Sequence, residues 1–348
     1  MTENSNPALV VRVTDGRPPK LSNESIPIPT PAANQVLVKI SHAAQNPTDV
    51  QSFDGNLFGD GAVLGCDFVG EVMKLGSEVT RLAKGDIVAG LIWGGEVKGL
   101  GAYSHYCLAN ERISFKVPQS ISRAHASTVP LAAATAFLAL FSKDCLGLDR
   151  KQAKGTSVLV WGGSSNVGLY TIQLASFYGF NVVATCSPRN EDLVRSYGAK
   201  HVFDYRDEFV AEKIRTAVPD LKHTFDTVGN TTSSSIASRA LCGEGGTLCT
   251  VRPGKTNTED VVKGTHVTDV VVWTAFCKDI SYGEFKWPAS KEDYELASEL
   301  FEKLPAWLEN GTVKPSTPKV LRGLDAVSEG FQEHRDGKIS AYKIVYEI

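Results

Sequence analysis

Seven small residues in a row, Gly162-Gly163-Ser164-Ser165-Asn166-Val167-Gly168, follow the apolar run Ser157 to Trp161 (SVLVW) and precede a helical stretch from Asn166 to Tyr178. A turn of this kind lets backbone N–H groups approach a pyrophosphate, and the helix N-terminus adds partial positive charge beside it. The pattern G-x-G-x-x-G is incomplete, because with Gly163 and Gly168 as its first and last members Ser165 takes the middle place. All seven residues are candidate coenzyme contacts. The second strand-to-helix junction selects the coenzyme. An acid about 20 residues beyond the turn would bond a ribose 2′-OH, but the chain reads Thr185-Cys186-Ser187-Pro188-Arg189-Asn190 there. A hydroxyl at Ser187 and a guanidinium at Arg189, with Asn190 beside them, suit a 2′-phosphate. NADPH is therefore the expected coenzyme. The structural alternative makes Ser187 a helix cap and Arg189 a solvated residue at a helix start, which Glu191 and Asp192 also favour. Tyr205, ending the third strand, either flanks the adenosine phosphate or packs.

These residues need a frame. From residue 157 onward, short apolar strands alternate with helices of ten or so residues: strands at Ser157 to Trp161, Asn181 to Thr185, His201 to Tyr205, His223 to Thr227, Gly246 to Val251 and Asp269 to Ala275. Helices are predicted at Glu191 to Tyr197, Phe209 to Thr216 and Thr231 to Leu241 between them. That rhythm predicts a doubly wound parallel sheet covered on both faces. The first 120 residues differ. Gln35 to Ile40, Asp67 to Val72, Asp86 to Ala89 and Gly101 to Cys107 alternate apolar and polar residues between Gly, Pro and Asp, which predicts a barrel-like β domain. An Ala/Leu-rich run from Arg123, with Pro130 starting or kinking a segment, marks the change between the two textures. A helix at Lys291 to Asn310 and a strand at Ser340 to Tyr346 end the chain, and the strand has no sheet of its own unless it returns to the first domain.

Composition sets limits. The 348 residues allow about two domains, and 42% apolar with 22% charged residues is a composition that folds. A net charge of −3 without long runs of one sign gives no footprint for nucleic acid or an anionic membrane surface. No stretch approaches the roughly 18 apolar residues of a membrane span, and the first thirty residues lack a signal-peptide pattern, so the cytoplasm is expected. Seven scattered cysteines without a C-x-x-C argue against a disulfide framework or a zinc knuckle and read as small buried side chains.

The order of these domains, the turn GGSSNVG, Gln45-Asn46-Pro47-Thr48-Asp49 and Leu64-Gly65-Cys66-Asp67-Phe68-Val69-Gly70 together resemble the medium-chain dehydrogenase/reductase superfamily. Within it the chain is similar to the zinc-independent, quinone-reductase-like branch, and to fungal trans-acting enoyl reductases of polyketide biosynthesis of the lovastatin type. Ala184 to Pro188, Val202 to Arg206, and Trp273-Thr274 followed by Tyr282-Gly283-Glu284 carry that second resemblance. It spans nearly the whole chain.

The resemblance implies a GroES-like catalytic domain of residues 1–127 and 285–348, with a Rossmann domain of residues 128–284 between them. The zinc alcohol dehydrogenases place a Cys ligand where this chain has Asn46 and a His-Glu pair where it has Cys66-Asp67, so a catalytic zinc is left short of ligands; no metal is expected. The branch's chemistry is hydride delivery from NADPH to the β-carbon of an α,β-unsaturated substrate, free or carrier-bound, alongside a polyketide synthase. Asn46 and Thr135 match positions that line nicotinamide or substrate; Asn46 equally suits a turn cap before Pro47, and Thr135 a bond within its own helix. Asp49 either caps the next helix or touches ligand. Relatives of the lovastatin type carry a Lys where this chain has Gln51, which offers only a neutral hydrogen bond; Tyr103 and Tyr282 are the alternative proton donors. The competing functions are a stand-alone quinone or enone reductase, another redox step on a late intermediate, and a non-catalytic NADPH-binding protein. Monomer and homodimer both remain open.

Overall fold

The computed structural model describes residues 5–14, 17–243 and 245–348. The chain divides into two units, with breaks after Leu131 and after Leu300. The first unit opens with β1 (Ser5–Arg12) and β2 (Lys20–Pro27), paired antiparallel from Ser5↔Pro27 to Arg12↔Lys20. Then come β3 (Gln35–Ala44), α1 (Pro47–Asp54), β4 (Asp67–Leu75), β5 (Ile87–Leu91), β6 (Tyr106–Asn110), β7 (Ser114–Lys116) and α2 (Arg123–Ser127). The strand expected over Gly101 to Cys107 begins only at Tyr106. The residues before it bond to different segments in turn and form no ladder: Tyr103 N–H donates to Leu64 O at 2.9 Å, Tyr103 O accepts Leu9 N–H at 2.8 Å, and His105 O accepts Ile40 N–H at 2.9 Å.

The second unit begins within α3 (Pro130–Phe141), a helix that starts at a proline, where the missing N–H is not needed. Its sheet is built from β8 (Ser157–Trp161), α4 (Asn166–Tyr178), β9 (Asn181–Cys186), α5 (Glu191–Ser196), β10 (His201–Asp204), α6 (Val210–Ala217), β11 (His223–Asp226), α7 (Ser233–Arg239), β12 (Thr247–Thr250) and β13 (His266–Asp269). The spatial order is β10-β9-β8-β11-β12-β13, and every pair is parallel. This is the doubly wound order with its reversal between β8 and β11. β8 is buried along its whole length, as a strand covered on both faces must be. The sixth strand is a correction: it is His266–Asp269, and Val272–Phe276 is a 3₁₀ turn. β12 ends at Thr250, and Val270 N–H takes its carbonyl at 3.0 Å, so an apolar run beyond that point has no ladder to join.

A small hairpin, β14 (Ile280–Tyr282) with β15 (Phe285–Trp287), precedes α8 (Lys291–Glu309), which passes from the second unit back to the first. The chain ends with β16 (Thr317–Arg322), α9 (Val327–Arg335) and β17 (Tyr342–Glu347). β17 pairs antiparallel with β3 at Ala44, Ala43 and His42 and parallel with β16, so the last strand does return to the first sheet. That sheet runs β16-β17-β3-β4-β5-β7, with β6 also on β3. One strand serves three partners because β6 pairs with Gln35 to Lys39 and β17 with His42 to Ala44, while β4 runs along the other edge with register shifts at Leu37/Val38 and Ile40/His42. Phe68, Tyr103, Phe331 and Tyr346 fill the core of this unit, the two tyrosine rings meeting edge to face at 5.5 Å. No helix among the described residues is long and apolar enough to cross a membrane.

Candidate active site

In the second unit the glycine-rich turn joins β8 to α4. Gly162 holds the left-handed conformation at φ 84° that the turn requires. Gly168 is required by crowding: a Cβ there would lie 2.3 Å from Gly162 O. Ser165 is the N-cap of α4, its hydroxyl accepting Gly168 N–H at 2.9 Å and meeting the Thr227 hydroxyl at 2.8 Å. Thr227 in turn donates to Trp161 O at 2.8 Å and lies 3.0 Å from Gly162 O. From the neighbouring strand, Thr185 Oγ1 accepts Gly162 N–H at 3.0 Å and Thr185 O accepts Gly163 N–H at 2.7 Å. The turn is thereby tied to β9 on one side and to the end of β11 on the other. The first-turn amides of Asn166 and Val167 precede the first intrahelical bond, which is the arrangement that binds anions. The tight-turn glycine is thus Gly162, a Cβ on Gly163 would lie 3.0 Å from the Ala184 methyl, and Ser165 is a cap.

In the sheet order the carboxyl end of β9 lies beside the turn, and that of β10 one strand further out. Ser187 stands before a 3₁₀ turn, Pro188–Asn190, and its hydroxyl accepts Asn190 Nδ2 at 3.3 Å. Its side chain caps no N–H there. Arg189 is exposed and, among the described residues, has no hydrogen-bond or ion-pair partner. Glu191, in the first turn of α5, pairs with Arg195 at 2.8 Å. Tyr205 does not pack into the core: it is 47% exposed, with the Arg206 guanidinium 5.7 Å from its ring.

The first unit collects the other candidates in a buried polar cluster. Asn46 is the N-cap of α1, and Pro47 follows at the first helical position. Asp49 closes the cap, its carboxylate accepting Asn46 N–H at 2.7 Å. The same carboxylate accepts Gly65 N–H, the Cys66 thiol and the Tyr103 hydroxyl, each at 3.2 Å. Burial pushes the Asp49 carboxyl up to about 6, against those hydrogen bonds, and pushes the Cys66 thiol and Tyr103 phenol well up as well. Asn46 Nδ2 donates to Asp67 Oδ2 at 2.9 Å, and Asp67 Oδ1 accepts Leu131 N–H at 2.7 Å, at the start of α3. Lys343 of β17, fully buried, completes this arrangement with an ion pair to Asp67 and a 3.4 Å bond to Thr128 O.

Tyr103 is sealed in the core and held by Asp49, so it is no proton donor to a ligand. Gln51 is exposed on α1. Tyr282 lies in the hairpin against Trp287, and Thr135 is buried on α3. Sequence reasoning missed Lys343, Thr227 and Asp226. Asp226 is fully buried; it accepts the Val228 and Gly229 N–H groups and the hydroxyls of Ser233 and Ser234, which fixes the loop after β11. Its signal was an acid ending a strand just before a glycine. The signal for Lys343 was a lysine inside an otherwise apolar strand.

Two consequences are measurable. Gly168→Ala forces α4 away from β8 and is expected to cost about 1–3 kcal/mol of stability in urea unfolding; an unchanged midpoint would contradict the close approach. The Asp49 carboxyl is raised in the fold, so the protonated form is the favoured one. Its stabilising contribution is complete below about pH 4 and lost as pH rises through about 6. The stability of the native protein relative to Asp49→Asn is expected to fall by roughly 3 kcal/mol between about pH 4 and pH 7; a difference that does not vary with pH would refute the assignment.

Residues 32–119 match the alcohol dehydrogenase GroES-like domain and residues 166–286 match the zinc-binding dehydrogenase domain. The groups in the first unit do not suit zinc: Asn46 is a neutral amide that donates to Asp67, and a lysine ammonium lies against the same carboxylate. A crystal structure of an alcohol dehydrogenase superfamily protein from Novosphingobium aromaticivorans has the same fold, with a TM-score of 0.78 at 22% identity, covering 99% of both chains. A trans-enoyl reductase of Alternaria alternata is 34% identical over 333 residues, 93% of this chain and 95% of that protein. Another from Trichoderma harzianum is 34% identical over 339 residues, 92% of this chain and 91% of its own. The chain belongs to the medium-chain dehydrogenase/reductase superfamily, and within it to the family of the trans-enoyl reductases.

Proposed function

We propose that this oxidoreductase reduces the C=C bond of an α,β-unsaturated thioester with NADPH, the substrate being a polyketide intermediate carried by a partner synthase. The relatives named trans-enoyl reductase, aligned over nearly their whole length, support the reaction class. The observation that carries the coenzyme reading is the end of β9, where no acid stands and Arg189 is exposed without a partner among the described residues. A guanidinium in that state can take a phosphate through paired donors, whereas an acid would repel it.

A bound nicotinamide supplies the hydride, and the protein supplies binding and orientation. The first-turn amides of α4 hold the diphosphate, Ser187 and Arg189 hold the 2′-phosphate with Asn190 beside them, and Tyr205 offers a half-exposed ring to the adenosine. Asn46 and Thr135 orient the nicotinamide and the substrate. Gln51 can hydrogen-bond but transfers no proton, and Tyr103 is sealed away, which leaves Tyr282 or water to supply the proton for the α-carbon.

NADPH consumption with a synthetic enoyl thioester, free and loaded on a carrier protein, tests this reading. Saturated thioester is expected to form with both, and faster from the carrier. Reduction of free quinones or enones without any thioester turnover would favour a stand-alone reductase, and NADPH binding without turnover on any of them would favour a non-catalytic role.

A further inference from the structure

Lys343 is the one buried cation among the described residues, and its partner Asp67 is fully buried as well. Such a pair is weak evidence for stability, because the cost of removing both charges from water offsets most of their attraction. What it fixes is more informative. A carboxylate paired with an ammonium can only accept hydrogen bonds. The side chain facing it must therefore donate, and that side chain is Asn46, whose Nδ2 lies 2.9 Å from Asp67 Oδ2.

An asparagine amide has two nearly isosteric orientations, oxygen and nitrogen exchanged. With an acceptor-only group on one side, only one of them is allowed. Asp67 is held by three donors: Oδ2 takes Asn46 and Lys343, and Oδ1 takes Leu131 N–H at the first turn of α3, the helix that goes on to carry Thr135. Lys343 is itself tied to Thr128 O, three residues before Leu131. The C-terminal strand, paired with the end of β3 just before Asn46, thus bears on a residue proposed to orient the reacting groups.

We propose that the Lys343–Asp67 pair is a positioning device that sets the orientation of the Asn46 side-chain amide. This rests on the enoyl-reductase reading above, in which Asn46 touches nicotinamide or substrate; Lys343 and Asp67 touch neither and act through it.

A double-mutant cycle on enoyl thioester reduction tests the device. The pair is removed as Asp67→Asn with Lys343→Met, which keeps the interior neutral, in both the native and the Asn46→Ala backgrounds. In the native background kcat is expected to fall at least about 10-fold, with KM for NADPH within about 3-fold, because a misplaced orienting group costs rate. In the Asn46→Ala background removal of the pair is expected to change kcat less than about 2-fold. An equal loss in both backgrounds, or no loss in the native one, overturns the proposal. Failure of the native protein to reduce any thioester would instead overturn the enoyl-reductase reading. Should the charge-free pair not fold, the native protein answers directly. The side-chain amide resonance lost in Asn46→Ala is expected to be protected from solvent exchange, and rapid exchange of that signal contradicts the fixed orientation.

Discussion

Where α4 leaves the end of β8, the two backbones approach so closely that a single added methyl at Gly168 would sit 2.3 Å from Gly162 O. That approach brings the first turn of a buried helix to the carboxyl edge of the sheet, at the place where the strand order reverses. Everything proposed for coenzyme binding depends on it. The left-handed Gly162 turns the chain, Ser165 caps the helix while holding Thr227, and the Thr185 side chain and carbonyl fix the turn from the next strand. A helix start held this way can meet an anion without rearrangement, which is why such a motif needs small residues more than it needs a third glycine.

The first unit solves a different problem. It buries two carboxylates, Asp49 and Asp67, near one another in a β-rich core, and charges of one sign there must be compensated. Asp49 is compensated by four donors and a raised affinity for a proton, Asp67 by an amide, a backbone N–H and a lysine. Where a zinc dehydrogenase would use this region to coordinate metal, the chain here uses it to brace α1, the start of α3 and the last strand against each other. The catalytic possibilities differ accordingly: orientation by hydrogen bonds remains, and a Lewis acid built from these side chains does not.

Much of the architecture was legible in the sequence because it follows from local pattern. The strands at Ser157 and Asn181, and the helix from Asn166 to Tyr178, are bounded by turn residues and run with one period each, so their limits fell within a residue or so of those observed. The run DVVVWTA misled because apolar β-branched residues look the same in a strand and in a buried turn, and only the length of β12 decides between them. Of the site, the glycine-rich turn and the acid-free second junction were visible as residue types at fixed spacing. Lys343 was not: it lies 276 residues from Asp67, and the pair exists only because β17 returns to the first sheet. Asp49 likewise reads as a helix cap, and the closing of Gly65, Cys66 and Tyr103 around it is a tertiary fact.

Discrimination between the two nicotinamide coenzymes bears most directly on the central claim. Calorimetric titration of the native protein and of Arg189→Ala with NADPH and with NADH reads it in one series. The native protein is expected to bind one NADPH per chain at least about 10-fold more tightly than NADH, with most of that margin lost in Arg189→Ala, in keeping with charge-assisted bonds to one phosphate. Binding of neither coenzyme, or equal affinity for both, would contradict the assignment of the turn and of the junction beside it.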